Sequence, residues 1–169
     1  RTVLKHCSEL RPLSEMSWRE MCSNIRRLAT QLRAMGVRPG DRVVAYMPNI
    51  PETMIAMLAT ASIGATWSAA APEFGAQTVV DRFGQIGPTV LFAVNGYRYG
   101  GKNFDRIADL GKIINKLDSL EHLVMLDYLP GTSELPKFSG KLSNWRELLS
   151  TNDITPEDFQ FERVPSNHA

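Results

Sequence analysis

Charge imbalance is almost absent from this sequence: nineteen lysines and arginines stand against eighteen aspartates and glutamates, a formal net charge of +1. Such a surface has no electrostatic footprint for nucleic acid or an anionic membrane, so small molecules or proteins are the expected partners. Cysteine is scarce as well. Cys7 and Cys22 form no CxxC or metal-ligand spacing, and His6, His122 and His168 lie too far apart to supply one, so no metal site is read. No Ser-His-Asp or Cys-His arrangement can be assembled, and no catalytic residue is assigned. The opening RTVLKH lacks the apolar stretch of a secretory signal, and a reducing, cytosolic setting is the expectation. Charge is also missing between Glu52 and Glu73, but Gly64, Thr66, Ser68 and repeated alanines keep that run only mildly apolar. A bilayer-spanning helix wants ~20 strongly apolar residues, so no membrane span is read.

What is present is a repeating phrase of helix, glycine, then apolar strand. Ser17 and Glu20 form an S-x-x-E capping box, and Trp18, Met21, Cys22, Ile25, Leu28, Ala29, Leu32 and Met35 follow on one helical stripe. Gly36 closes that helix, RPGD at 38–41 makes a turn, and residues 43–47 run apolar without alternation, as in a strand covered on both faces. A second helix starts at Asn49 and Pro51, with Asn49 as N-cap, and residues 65–70 form the next strand. A third helix turns Val79, Val80, Phe83 and Ile86 inward, and Gly87 and Pro88 separate it from a strand at 90–94. A fourth uses Phe104, Ile107, Leu110, Ile114 and Leu117 and leads to a strand at 123–126. The pattern predicts an α/β fold, a doubly wound and mostly parallel sheet with flanking helices, and no second domain. Its parts are an opening hairpin (1–17), alternating helices and strands (18–126), a surface loop marked by Pro130, Gly131 and Pro136 (127–143), and a short helix with a tail (144–169). In that tail Phe159 and Phe161 have strand spacing.

Ligands of open parallel sheets bind outside the carboxyl ends of the strands, which directs attention to the loops after residues 47, 70, 94 and 126. GYRYGGK at 96–102 has the G-x-x-x-x-G-K spacing of a P-loop, and LVMLD at 123–127 has the form of a Walker B strand. A P-loop NTPase using Gly96 to Lys102 is therefore one function class. Against it, Asn103 lacks the hydroxyl that holds Mg²⁺ in that motif, and Tyr97 and Tyr99 crowd a loop that should cradle phosphate. The same loop suits a phosphate contact, with Arg98 as a forked donor, Lys102 as a point charge and the tyrosines as stacking surfaces. Its plainer reading is a pair of solvated surface charges. Glu73, at a strand's carboxyl end, can face a ligand, but a lone carboxylate is no acid–base pair.

The segment LRAMGVRPGDRV at 32–43 resembles the helix, turn and strand of the adenylate-forming acyl-CoA synthetases. MLATASIGATWS at 57–68, PEFG at 72–75, DRFGQI at 81–86 and YGGK at 99–102 narrow the resemblance to the acetoacetyl-CoA synthetase group of that family. The resemblance implies that residues 1–169 are the incomplete front part of an AMP-binding-type N-terminal domain. It also implies an acid–thiol ligase of cytosolic lipid metabolism. Acetoacetate and ATP, with Mg²⁺, give acetoacetyl-adenylate and pyrophosphate, and the CoA thiol then displaces AMP. It places Arg98, and Lys102 by an offset, at the nucleotide end of CoA, with Glu73 and Phe74 along the pantetheine path. Gly100 stands where asparagine is usual, and Gly101 where acetyl-CoA synthetases carry a second arginine. The family's Ser/Thr/Gly-rich loop, adenine motif and catalytic lid lysine are not found in these residues. The expectation is thus a segment that is inactive alone and binds no ATP, CoA or Mg²⁺ tightly. A truncated, non-catalytic binding module is the competing class.

Overall fold

The computed structural model describes residues 1–134 and 137–168, so Pro136 of the expected surface loop lies outside the described residues. The chain opens with an antiparallel hairpin, β1 (Thr2–Ser8) and β2 (Arg11–Ser17), and runs directly into α1 (Trp18–Ala34). Ser17 is the N-cap: its hydroxyl accepts the Glu20 N–H at 3.2 Å, satisfying one of the helix's orphan donors. Met21, Leu28, Ala29 and Leu32 are buried along the expected stripe, whereas Trp18, at the first helical position, is half exposed.

Five parallel strands form the centre: β3 (Arg42–Tyr46), β4 (Thr66–Ala70), β5 (Val90–Val94), β8 (His122–Leu126) and β9 (Lys141–Asn144), in the order β4-β3-β5-β8-β9. Between them run α2 (Pro51–Ser62), α3 (Ala76–Gly84), a small antiparallel hairpin of β6 (Gly96–Tyr99) and β7 (Lys102–Asp105), and α4 (Ile107–Ile114), and α5 (Trp145–Leu149) follows β9. Alternate residues of each inner strand feed two separate cores. Val43, Ala45, Phe92 and Val124 pack with Leu28 and Leu32 of α1, Ile55 and Ala59 of α2, and Trp145 of α5. Val44, Tyr46, Leu91 and Met125 pack with Phe83 of α3 and Leu110 and Ile113 of α4. Burial on both faces explains why these strands are apolar without alternation. The uncharged run after Glu52 is α2 and β4, and among the described residues no helix is long and apolar enough to cross a membrane.

Several local expectations are corrected. Phe104 lies in β7 and not on the fourth helix, Val80 is only partly buried, and Ile86, past the end of α3, is 36% exposed. The stretch 127–143, expected to be irregular, contains most of β9, which pairs with β8 from His122↔Lys141 to Met125↔Asn144. Its sequence KLSN has no apolar pattern, and Leu142 is 48% exposed, so its strand character comes from the neighbouring backbone. Phe159 and Phe161 are in no strand. Phe159 is buried with the Arg33 guanidinium 5.4 Å from its ring centre, while Phe161 is exposed and meets it edge-on.

The segment after α5 is held to α1 by a part-buried ion pair: Arg26 donates to both carboxylate oxygens of Asp153 (3.1 and 2.5 Å) and to the Ile154 carbonyl (2.8 Å). Burial pushes the Asp153 carboxyl up, but hydrogen bonds from Arg26 and Ser23 and the charges of Arg26 and Arg27 outweigh it and hold the group below its ordinary value of 3.8. A depressed carboxylate stabilises the fold above its unfolded-state pKa, and that contribution is lost as pH falls through the folded-state value. Arg26→Ala is therefore expected to cost about 2 kcal/mol at pH 7. Its deficit relative to the parent should shrink in chemical denaturation series as pH falls below 3.8. A deficit independent of pH would rule out the carboxylate as its source.

Candidate functional site

The connections place one crevice at the carboxyl edge of the sheet. The first sheet strand, β3, has the second, β4, on one side and the third, β5, on the other, so the chain reverses direction across the sheet between β3 and β5. Loops diverge at such a switch point and leave a concave mouth. A cavity of about 310 Å³ is found there. Its walls are Pro48, Asn49 and Ile50 after β3, Pro72 and Glu73 after β4, Tyr97, Arg98 and Tyr99 on β6, Tyr128 after β8, and His6, Cys7 and Ser8 on β1.

Three supports outside the expected site residues set these walls. Tyr46, fully buried at the end of β3, places its hydroxyl 2.8 Å from the carbonyls of both Pro72 and Phe74 and so holds the turn that carries Glu73. Burial, the largest influence, pushes its phenol up to about 12, so it remains a neutral donor. Asn95, only 4% exposed, follows the last residue of β5. Its Oδ1 accepts the N–H groups of Tyr128 and Leu129, both at 2.9 Å, and its Nδ2 donates to the Leu129 carbonyl (2.8 Å) and Thr132 Oγ1 (3.0 Å). One side chain thus fastens the loop after β8 to the end of β5. Tyr128 then donates its hydroxyl to Ser8 Oγ at 2.7 Å, joining that loop to the opening hairpin.

The β6–β7 hairpin supplies the fourth wall. Gly96 is required at its base: a Cβ there would stand 2.5 Å from the Phe104 carbonyl oxygen and 2.7 Å from Leu129 Cδ2. At its tip Gly100 and Gly101 have φ of +58° and +73°, the left-handed pair of a two-residue turn. Asparagine also tolerates that conformation, so the glycine at 100 leaves the turn unchanged. Tyr97 stacks on Phe104 across the hairpin, with ring centres 5.0 Å apart, and Arg106 donates to the Tyr97 hydroxyl at 3.1 Å.

This geometry corrects the P-loop expectation. Residues 96–102 are a strand and hairpin tip rather than a loop wrapped before a helix, and α4 begins only at Ile107. The Gly100 and Gly101 N–H groups, which a P-loop would offer to phosphate, donate instead to the Glu9 carboxylate at 2.7 and 2.8 Å. Asp127, the Walker B candidate, is exposed past the end of β8. Of the four expected site residues, Arg98 and Glu73 line the cavity together, while Lys102 and the 39% exposed Phe74 do not. Phe74 lies under Arg82, 5.8 Å from its guanidinium. Asn49 is not an N-cap: Ile50 holds that position without a side-chain bond, and Glu52 accepts from Arg11 at 2.8 and 3.0 Å.

Chemically the cavity offers one cation, one carboxylate and three tyrosines. Arg98 is held through its Nε, which donates to Asn103 Oδ1 at 2.7 Å, and among the described residues its terminal nitrogens have no partner. A forked donor beside aromatic faces suits a phosphate joined to a planar base. A larger groove, about 540 Å³, lies against α1, α2 and Phe159. It is almost wholly apolar, and its one charged group, Arg26, is tied to Asp153, so it has nothing to orient an anion. Among the described residues no cluster of three or more His, Cys, Asp or Glu could hold a metal ion.

Known proteins agree with this architecture over nearly the whole chain. Acetoacetyl-coenzyme A synthetase of Rhizobium meliloti (strain 1021) is 52% identical over 154 residues, covering 90% of this chain and 23% of that protein. Acetoacetyl-CoA synthetase of Rattus norvegicus is 34% identical over 158 residues, 92% of this chain and 24% of that one. The solved acetoacetyl-CoA synthetase from Streptomyces lividans superposes with a TM-score of 0.84 at 41% identity, over 93% of this chain and 23% of the other. The chain spans about a quarter of the length of the curated relatives it matches. The profile of the family described as AMP-binding enzyme matches residues 4–162, and the chain belongs to that family.

Proposed function

We propose that this chain is a segment of an ATP-dependent acetoacetate–CoA ligase and that the cavity between β3 and β5 receives the nucleotide end of CoA. The observation that supports it most is the likeness to acetoacetyl-CoA synthetases along nine-tenths of the chain, 52% identical for the bacterial relative. On this reading Arg98 contacts a CoA phosphate with its two free terminal nitrogens, while Tyr97, Tyr99 and Tyr128 flank the adenine. Glu73 lies along the path of the pantetheine arm, with Phe74 next to it. Lys102, paired with Tyr99 at the hairpin tip but not part of the cavity lining, adds long-range attraction for the anionic ligand without a direct contact. ATP and Mg²⁺, which would serve the adenylation step, are assigned to parts of the intact protein other than this segment. The cytosol and lipid metabolism are its proposed setting.

The test is a substrate panel on the intact protein that contains this segment. Acetoacetate is expected to support ATP–pyrophosphate exchange, and thioester formation on addition of CoA. Exchange with acetate or a long-chain fatty acid but not with acetoacetate would overturn the substrate assignment. No exchange with any carboxylate would overturn the ligase reading altogether.

A further inference from the structure

The geometry points to Glu9 as the residue that positions Arg98, by clamping the tip of the β6–β7 hairpin against the turn of the opening hairpin. The inference rests on the reading of the cavity as a CoA site and adds to it a residue that touches no ligand. The β6–β7 hairpin has four residues in each strand and belongs to no larger sheet. A two-stranded hairpin is marginal in water without outside support, so its contacts decide where its side chains point. Its base is well held. Gly96 packs tightly there, and Asp105 accepts the Ser133 N–H and hydroxyl, both at 2.8 Å.

Its tip projects into solvent, with Tyr99 74% exposed, and there Glu9 is the anchor. The left-handed glycines present two backbone N–H groups to one carboxylate, which accepts one on each oxygen. Charge-assisted bonds of this kind are stronger than neutral ones. Glu9 can serve as an anchor because its own turn is fixed. Ser8 Oγ accepts the Leu10 and Arg11 N–H groups at 3.2 Å, Tyr128 donates to the same oxygen, and Arg11 pairs with Glu52 of α2. Arg98, by contrast, is tied among the described residues only to Asn103 of its own hairpin, so it moves wherever the hairpin moves.

Loss of the clamp should therefore weaken CoA binding while leaving adenylation intact. In the intact protein, Glu9→Ala is expected to raise the KM for CoA about tenfold, with acetoacetate-dependent ATP–pyrophosphate exchange unchanged. Glu9→Gln, which keeps a neutral accepting oxygen, should raise it less. Hydrogen exchange supplies a readout independent of CoA: amides of residues 96–105 are expected to exchange faster in Glu9→Ala than in the parent. Unchanged exchange across 96–105 would overturn the clamp. An unchanged or lower KM for CoA would overturn the positioning role, a lower value meaning that Glu9 competes with a ligand phosphate for the glycine amides. If Arg98→Ala leaves the CoA KM unaltered, the cavity assignment fails separately, and the exchange experiment still decides whether Glu9 holds the hairpin.

Discussion

Arg98→Ala in the intact protein is expected to raise the KM for CoA by about 10- to 100-fold while ATP–pyrophosphate exchange without CoA proceeds at the parent rate. The magnitude follows from removing the proposed charge-assisted hydrogen bonds to a CoA phosphate, about 1.5–3 kcal/mol. The selectivity follows from where the side chain is: Arg98 is exposed at the cavity wall, so little of the fold depends on it beyond the bond to Asn103. Arg98→Lys should recover part of the loss, since an ammonium keeps the charge but not the planar fork. A steady-state CoA titration at saturating ATP and acetoacetate gives the answer. An unchanged KM would remove Arg98 from the site. Equal losses in the two half-reactions would show that the substitution disturbs the protein more broadly than the cavity.

Asn95→Ala is expected to destabilise the protein by about 3 kcal/mol, seen as a lower midpoint in chemical denaturation. The mechanism is the set of groups left behind. The N–H groups of Tyr128 and Leu129 and the Leu129 carbonyl all lose their partner beside a side chain that is 4% exposed. Unpaired buried polar groups cost about 1–3 kcal/mol each, and partial entry of water limits the sum. The loop after β8 should loosen as well, carrying with it the Tyr128 hydroxyl that meets Ser8. The substitution should therefore raise the CoA KM too, unlike Arg26→Ala, whose side chain on α1 meets only the segment after α5, away from the cavity lining. A loss below about 1 kcal/mol would mean that water replaces the amide effectively.

The parts of the site that were legible in the sequence are those carried by residue type within a short stretch. Arg98 in a glycine-flanked loop after an apolar strand, and Glu73 after a strand's carboxyl end, could be singled out from the one-dimensional pattern, and both line the cavity. Lys102 could not be separated from Arg98 in the same way. A difference of four positions looks equivalent along a loop, but the hairpin puts Arg98 on β6 and Lys102 on β7, and no residue of β7 lines the cavity. The supports were not singled out at all. Tyr46 reads as one more apolar strand residue until the Pro72 and Phe74 carbonyls are brought to it. Asn95 left one usable signal, a polar amide directly after five buried apolar residues. Glu9 left none, since its partners are more than ninety positions away.

By itself the sequence determined the class of fold and the phrase of helix, glycine and strand that builds it. Unalternated runs such as residues 43–47 and 90–94 fit a sheet covered on both faces, and Gly36, Gly64 and Gly87 take the positive φ that follows α1, α2 and α3. These are short-range properties, settled within a turn of helix or a few residues of strand. Tertiary structure alone decided that KLSN becomes the fifth strand, that residues 96–105 fold as a hairpin, and that five segments distant in sequence, three loops and two hairpin strands, close one cavity. The physical reason is that strand order and register are fixed by crossovers and by pairing across the sheet. A hydrogen bond such as that from Gly100 to Glu9 exists only once folding has brought together two residues 91 positions apart.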